Sequence, residues 1–505
     1  MVRNRNMGLV LSYINTFLSM ICGLFLSSFL LRQLGDTNYG IYQTMSSFAN
    51  YLVLLEFGTG TVLSRNLVAA KTRGESKLQE EKNISTIWTI MLILAGFILL
   101  ISVVFYGLIP NIYSNTLSGE QIALGRNIFI FIVIFLLSSF VSQTLTGITL
   151  ANEHYTFSSV VSIIKLISRT GLLVVLIGRY HYAVLIAMVD AILGVTIALF
   201  SYFYCRKSFK VKINLRNFDR LILKASMPLC MAIFLQTIVN QSNNIVGKFV
   251  LGVMSGPEDV ALYSVALYIF GIFSSLSTIP VSLYVPQVTK TVLEGIEGLP
   301  LTKTLVKPCR LIVLISGSVL FGFIACGRQF IEIVYGREYS LAWAMTLLLI
   351  IPSFLNMSNA VVLNVLDAKN KRIIRSYILM ITTVLNIGMT IIGIKYFGII
   401  AAAAATGLAT LLQVIIMNIY YQKAIGVKVG YLFKNIYKGI VPYQILGAGL
   451  GYLIGYLIGH VYVAFLAGGM VYLIISFGGF LLFGRSQEER KFLRKLFLRI
   501  NGNNK

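Results

Sequence analysis

Charge is what this chain has least of. Only 12% of its 505 residues are charged, and the acidic ones are scarcer than the basic, 18 Asp and Glu against 42 Lys and Arg. A soluble domain averages about 25% charged residues. With 57% hydrophobic residues and a mean hydropathy of +0.82, the chain cannot cover a water-facing surface with polar groups. That excludes a soluble globular protein and leaves a bilayer as the solvent. The net charge of +24 would point to nucleic acid on a soluble protein. Here the basic residues sit in short loops between apolar runs, so the charge reports topology and no nucleic-acid partner is expected.

Chemistry-bearing residues are also sparse. The five cysteines (Cys22, Cys205, Cys230, Cys309 and Cys326) lie in or beside apolar runs, with neither metal-ligand spacing nor a disulfide framework. His154, His181 and His460 are scattered over loop positions and suggest no metal site. A phosphate-cradling Gly-rich loop of the Walker type is missing, which excludes a built-in ATP engine. Paired carboxylates on an exposed catalytic surface are missing too, so neither an enzyme nor a cofactor is expected. The first apolar run is too long for a secretory signal and lacks a cleavage site, and it reads as the first membrane span.

Fourteen apolar runs remain, at about 8–31, 40–69, 84–108, 124–148, 157–178, 182–204, 226–252, 259–286, 305–326, 341–366, 373–394, 398–421, 439–459 and 462–483. Each can supply the roughly 20 apolar residues of a transmembrane helix. They are too long and too continuously apolar for barrel strands. With the N-terminus inside, 33 of the 42 Lys and Arg fall on inner segments. Six fall outside (Arg32, Arg126, Arg179, Arg328, Arg337 and Lys395) and three within spans. The positive-inside bias therefore predicts an all-α integral membrane protein of about fourteen transmembrane helices, N-in and C-in. In the tail 487–500, Phe492, Leu493, Leu496, Phe497 and Ile500 share one helical face between basic residues. That pattern suits a helix lying on the inner leaflet.

The chain repeats itself after six helices. Gly35-Asp36-Thr37-Asn38-Tyr39-Gly40-Ile41-Tyr42 opens the second span, and Gly256-Pro257-Glu258-Asp259-Val260-Ala261-Leu262-Tyr263 opens the eighth, 221 residues later. Six helices return the chain to the same side, so the repeat is parallel, about an axis along the membrane normal. The expected organisation is a six-helix bundle over 1–220, a second over 221–430, transmembrane helices 13 and 14 over 431–484, and a basic tail over 485–505.

Polar residues within spans are costly and mark either partners or cavities. In the seventh span Gln236, Asn240, Asn243, Asn244 and Lys248 fall on one helical face. Asn356, Asn359, Asn364 and Asp367 nearly do so in the tenth. Lys165 and Arg169 lie one turn apart in the fifth span. Arg169 is roughly twelve residues from the inner end, about 18 Å deep at 1.5 Å per residue, too deep for its head to snorkel out easily. It has two readings: an anion-attracting cavity wall, or an ion pair with Glu56 or Asp190. For the shallower Lys165 and for Lys248, snorkelling stands beside ligand contact. Arg65, at the inner end of the second span, reads as an interface anchor. Glu56 and Asp190 are candidates for ion pairing or for coupling to H+ or Na+.

The segment Leu34 to Tyr42, its continuation through Gly58 to Arg65, the six-helix repeat and the fourteen spans together carry a resemblance over nearly the whole chain. The chain resembles the polysaccharide-transport flippases, the Wzx-type (O-antigen) members of the multidrug/oligosaccharidyl-lipid/polysaccharide exporter superfamily. The resemblance implies a bacterial cytoplasmic membrane and a substrate of undecaprenyl-diphosphate-linked oligosaccharide. It also implies membrane lipids and polysaccharide-assembly proteins as partners, and two bundles that alternate their opening. Arg169, Lys165 and Lys248 would then attract the diphosphate or acidic sugars, and the amides Gln236, Asn240 and Asn244 would contact sugar hydroxyls. Two rivals stand beside it. A drug exporter of the same superfamily needs anionic cavity residues, which are few here. A membrane-embedded polysaccharide polymerase or transferase needs a substantial outer loop, and the outer loops are short.

Overall fold

A computed structural model describes residues 2–56, 58–211, 213–369, 371 and 373–484. The amphipathic helix expected over 487–500 lies outside the described residues. Within them the chain is all-helical. Its α-helices in order are α1 (Val2–Val53), α2 (Thr59–Thr72), α3 (Lys77–Tyr113), α4 (Gly119–Ala151), α5 (Tyr155–Tyr180), α6 (Val184–Phe209), α7 (Arg220–Met254), α8 (Pro257–Leu283) and α9 (Val285–Leu293). There follow α10 (Gly298–Val334), α11 (Leu341–Ser358), α12 (Val362–Ala368), α13 (Ile373–Phe397), α14 (Ile400–Ala424), α15 (Val429–Tyr437), α16 (Val441–Leu457) and α17 (Val461–Gly479).

Among the described residues, eleven helices are long and apolar enough to cross a membrane, or twelve if α15 and α16, bent by 50°, form one span. α1 consists of two helical arms that meet at Gly35, whose φ of 72° and ψ of 169° are non-helical; the first arm carries the first expected span and the second arm opens the second. Large apolar side chains such as Ile93, Val103, Val175 and Ile474 stay exposed, as a lipid-facing surface requires.

Two expected spans are broken. The run 40–69 is not one helix: α1 ends at Val53, a 3-10 turn carries Leu54–Glu56, and α2 starts after Gly58 in the left-handed region. The run 341–366 is split into α11 and α12 around Asn359–Val361. Asn359 donates to Asn418 Oδ1 at 2.6 Å, and Asn364 lies 3.4 Å from the Val281 carbonyl. These two amides of the tenth span thus tie helices together rather than forming one cavity-lining stripe.

The helices fall into two compact units. One comprises Met1–Ser264 with Thr390–Ala402, the other Val265–Met389 with Ala403–Lys505. In the first, α2 and α4 cross at small residues. A methyl on Gly147 would lie 2.2 Å from the Gly60 carbonyl oxygen, so only glycine permits this approach. Thr59 and Thr144 share a hydrogen bond of 3.1 Å at the same crossing. Val62, Leu63, Leu67, Ile87, Leu145 and Ile148 fill the layer beneath.

The two repeated turns meet inside this unit. Thr37 donates to Glu258 Oε1 at 3.1 Å across 221 residues, the offset of the repeat itself, so equivalent positions touch. Gly40 packs directly on Pro257, and a Cβ added there would lie 1.9 Å from the Pro257 carbonyl oxygen. That obstacle is backbone, and no rotamer relieves it. Gly40→Ala is expected to separate the turns and to destabilise the protein by about 1–3 kcal/mol, the usual cost of overpacking. The check is the thermal midpoint of the purified protein; an unchanged midpoint would show that the contact yields freely.

The second unit closes around a charge that the loop count assigned to an inner loop. Arg310 is 7% exposed. Its Nη1 donates to the Asn435 and Lys438 carbonyls at 2.9 and 2.8 Å, and Nη2 to the Gly484 carbonyl at 2.8 Å. One guanidinium thus caps both the end of α15 and the turn after α17, satisfying carbonyls that helix ends leave open.

Candidate intramembrane polar site

Three helices of the first unit bring charged side chains to their shared interior. α5 supplies Lys165 and Arg169 on one face, α6 supplies Asp190, and the outer arm of α1 supplies Tyr42. Arg169 Nε donates to Asp190 Oδ1 at 2.5 Å and Nη2 to Oδ2 at 3.0 Å, a two-pronged pair. The side chains are 28% and 13% exposed. The Tyr42 hydroxyl reaches Arg169 and Ser46. Of the two carboxylates proposed as partners for Arg169, Asp190 is the one in place. Planar carboxylate and guanidinium match at both contacts, so the Arg169 charge is compensated in this state.

Lys165, one turn away, stands 4.8 Å from the centroid of the Phe135 ring, a cation–π contact with α4. Lys248 of α7 is held differently. Its Nζ donates to Gln43 Oε1 at 3.1 Å, and Gln43 Nε2 in turn donates to the Tyr39 hydroxyl at 2.7 Å. No ion pair engages Lys165 or Lys248 among the described residues. Their direct contacts, the Phe135 ring and the Gln43 amide, are neutral.

Glu56 lies in the 3-10 turn at the break between α1 and α2, where Gln143 Nε2 donates to its Oε2 at 3.0 Å. It takes no part in the Arg169 pair. The side chains of Gln236, Asn240 and Asn244 fall outside the described residues, although the α7 backbone that carries them is helical. Sequence reasoning missed Gln43, Tyr42 and Gln143 as partners. A weak signal existed for Gln43, which follows Tyr39 by one helical turn at the start of a span.

Residues 8–292 match the family described as polysaccharide biosynthesis protein. That is more than half of the chain. The chain belongs to the polysaccharide biosynthesis protein family. The whole site just described lies inside the matched segment. Comparison with curated proteins gives no match. Among solved structures, this family member is similar to the lipid II flippase MurJ in an inward closed conformation, with a TM-score of 0.72 and 17% identity over 94% of this chain and 100% of that one. It is also similar to an inward-facing multidrug resistance MATE transporter of the MOP superfamily, with a TM-score of 0.67 and 14% identity over 83% and 96%. A MATE protein in complex with MaL6 gives 0.57 and 12% over 85% and 97%. At these identities the likeness is one of fold. It makes this polysaccharide biosynthesis protein a multi-pass membrane protein with the architecture of known transporters.

Proposed function

We propose that the protein is a flippase that moves undecaprenyl-diphosphate-linked oligosaccharide units from the inner to the outer leaflet of the bacterial cytoplasmic membrane, for surface polysaccharide assembly. The observation that carries this reading is Lys248, a cation within a span whose hydrogen-bond acceptor is the neutral Gln43. A half-buried cation that no carboxylate among the described residues pairs with suits an anionic ligand. A lipid tail stays in the bilayer while its polar head crosses, so the protein need supply only a polar path and two states with different affinity for the head. Family membership supports the polysaccharide side of the assignment, and the fold, shared with flippases and transporters, supports a non-enzymatic role.

In this reading the two arms of α1 count as separate spans and α7 adds another, giving fourteen spans with both termini inside. The bundles 1–220 and 221–430 alternate access, with helices 13 and 14 over 431–484 appended. Asp190 is engaged by Arg169, which leaves Glu56, whose one hydrogen-bond partner among the described residues is the Gln143 amide, as the candidate for H+ or Na+ coupling. A drug exporter fits less well, since Asp190 is not available to an organic cation.

The test is deletion of the gene in its source strain, followed by the leaflet location of lipid-linked oligosaccharide and the amount of surface polymer. Complete units that accumulate inaccessible from outside, with surface polymer lost, are the expected result. Complete units that reach the outer leaflet and stay unpolymerised would place the protein after flipping.

A further inference from the structure

One end of the first unit carries a cavity that the Arg169 and Lys248 clusters do not include. It is about 650 Å³ in volume and opens where α2 ends and where α3 and α7 begin. That is the end which the loop charges assign to the cytoplasm. Arg65 of α2, Gln79 and Asn83 of α3 and Ser226 of α7 line it, over an apolar floor that includes Ile222 and Leu229. The cavity falls within the range of small-molecule sites, roughly 300–1,000 Å³.

The charges around it are unequally engaged. Arg73 pairs with Glu75 at 3.6 Å, and this carboxylate also lines the cavity. Asn66 donates to Ser226 Oγ at 2.9 Å, joining α2 to α7. Asn83 donates to the Gln79 carbonyl at 3.0 Å. Among the described residues, neither Arg65 nor the Gln79 amide has a hydrogen-bond or ion-pair partner. An arginine that merely anchors the helix to phospholipid needs no amide-lined hollow beside it. The Glu75 carboxylate is taken up by Arg73, and a guanidinium fork left open beside an unengaged amide donor is a receptor for phosphoryl oxygens.

We propose that this cavity is a loading site for a diphosphate group on the cytoplasmic side, with Arg65 as its principal ligand and Gln79 as a second donor. The group is either borne by a polyprenyl lipid or free in the cytosol, and the chemistry of recognition is the same. The proposal rests on the flippase reading for its place in transport but not for its binding chemistry. The site would capture the headgroup before it reaches the deeper cations, which lie on α5 and further along α7 in the same unit.

The test uses the full chain in nanodiscs of zwitterionic lipid, with undecaprenyl diphosphate as probe and inorganic pyrophosphate and phosphatidylglycerol as competitors. Arg65→Ala is expected to weaken probe binding about tenfold or more, as loss of a charge-assisted contact does. Arg65→Lys should retain part of it. Gln79→Leu, which breaks no bond within the protein, should weaken binding as well and covers the case in which Arg65→Ala misfolds. Competition by pyrophosphate supports recognition of the diphosphate itself, and Arg65-dependent binding without it supports a lipid-borne ligand. Unchanged affinity in folded Arg65→Ala and in Gln79→Leu overturns the proposal, as does equal competition by phosphatidylglycerol, which would make Arg65 a simple anchor. Arg65-dependent binding by a protein that does not flip would sink the transport reading alone. Flipping by a protein whose binding ignores Arg65 would sink this site alone.

Discussion

Arg169→Ala is expected to abolish surface polysaccharide at native expression and to lower the stability of the protein, and the two effects are separable. In this state Arg169 and Asp190 satisfy each other through two contacts, at 2.5 and 3.0 Å. Removing the guanidinium leaves a carboxylate 13% exposed without its two-pronged partner, and only the more distant Lys165 acts on it. Breaking a buried pair from one side costs about 3–5 kcal/mol, because the remaining charge has lost both water and partner. Loss of transport in the single variant is thus open to a bland explanation. The double variant Arg169→Ala, Asp190→Ala removes both charges and with them the penalty. It is expected to recover most of the thermal midpoint while leaving transport dead.

The physical reason is competition for the guanidinium. Arg169 is compensated by one negative charge, whereas a diphosphate brings more than one, and Coulomb attraction grows steeply as the local dielectric falls. A headgroup entering the unit can therefore displace Asp190 and take over the fork. Near-normal surface polysaccharide in a folded Arg169→Ala variant would remove Arg169 from the mechanism, and transport restored by the double variant would make the pair purely structural.

What could be read from the sequence follows the same physics. The apolar runs identify helices because nothing else satisfies a backbone in lipid. Hydropathy sums composition, however, and is blind to backbone direction. It passes over the bend at Gly35, the left-handed Gly58 and the stop at Asn359, each inside or beside an otherwise continuous run. Charge counting has a similar limit. Arg310 counts as one more inner-loop cation in the sequence, yet the fold buries it against three carbonyls from segments 125 to 174 residues away. For Arg169 the sequence narrows the partner to Glu56 or Asp190, and only the packing of α5 on α6 decides between them. The Gln43 acceptor of Lys248 lies 205 residues away, and no local periodicity points to it.

Lys248 carries the second large effect, and here stability and function are expected to move in opposite directions. Its ammonium is a cation inside the unit whose hydrogen bond goes to an amide rather than a carboxylate. Burying a charge without a counter-charge is unfavourable to folding. Lys248→Met keeps the length and flexibility of the stem and deletes the charge, so the thermal midpoint should hold or rise. Transport should nevertheless fall at least about tenfold, because a charge-assisted contact to an anion is worth roughly 1.5–3 kcal/mol and has no substitute here. Gln43→Leu complements it: the ammonium stays but loses its acceptor, so the midpoint should drop while the cation remains available to substrate. The measurement is midpoint and flipping rate for both variants in proteoliposomes. A cation kept for packing would make Lys248→Met less stable and leave its flipping intact. A cation kept for the headgroup gives a stable protein that does not flip, because the only group removed is one that the fold itself does not need.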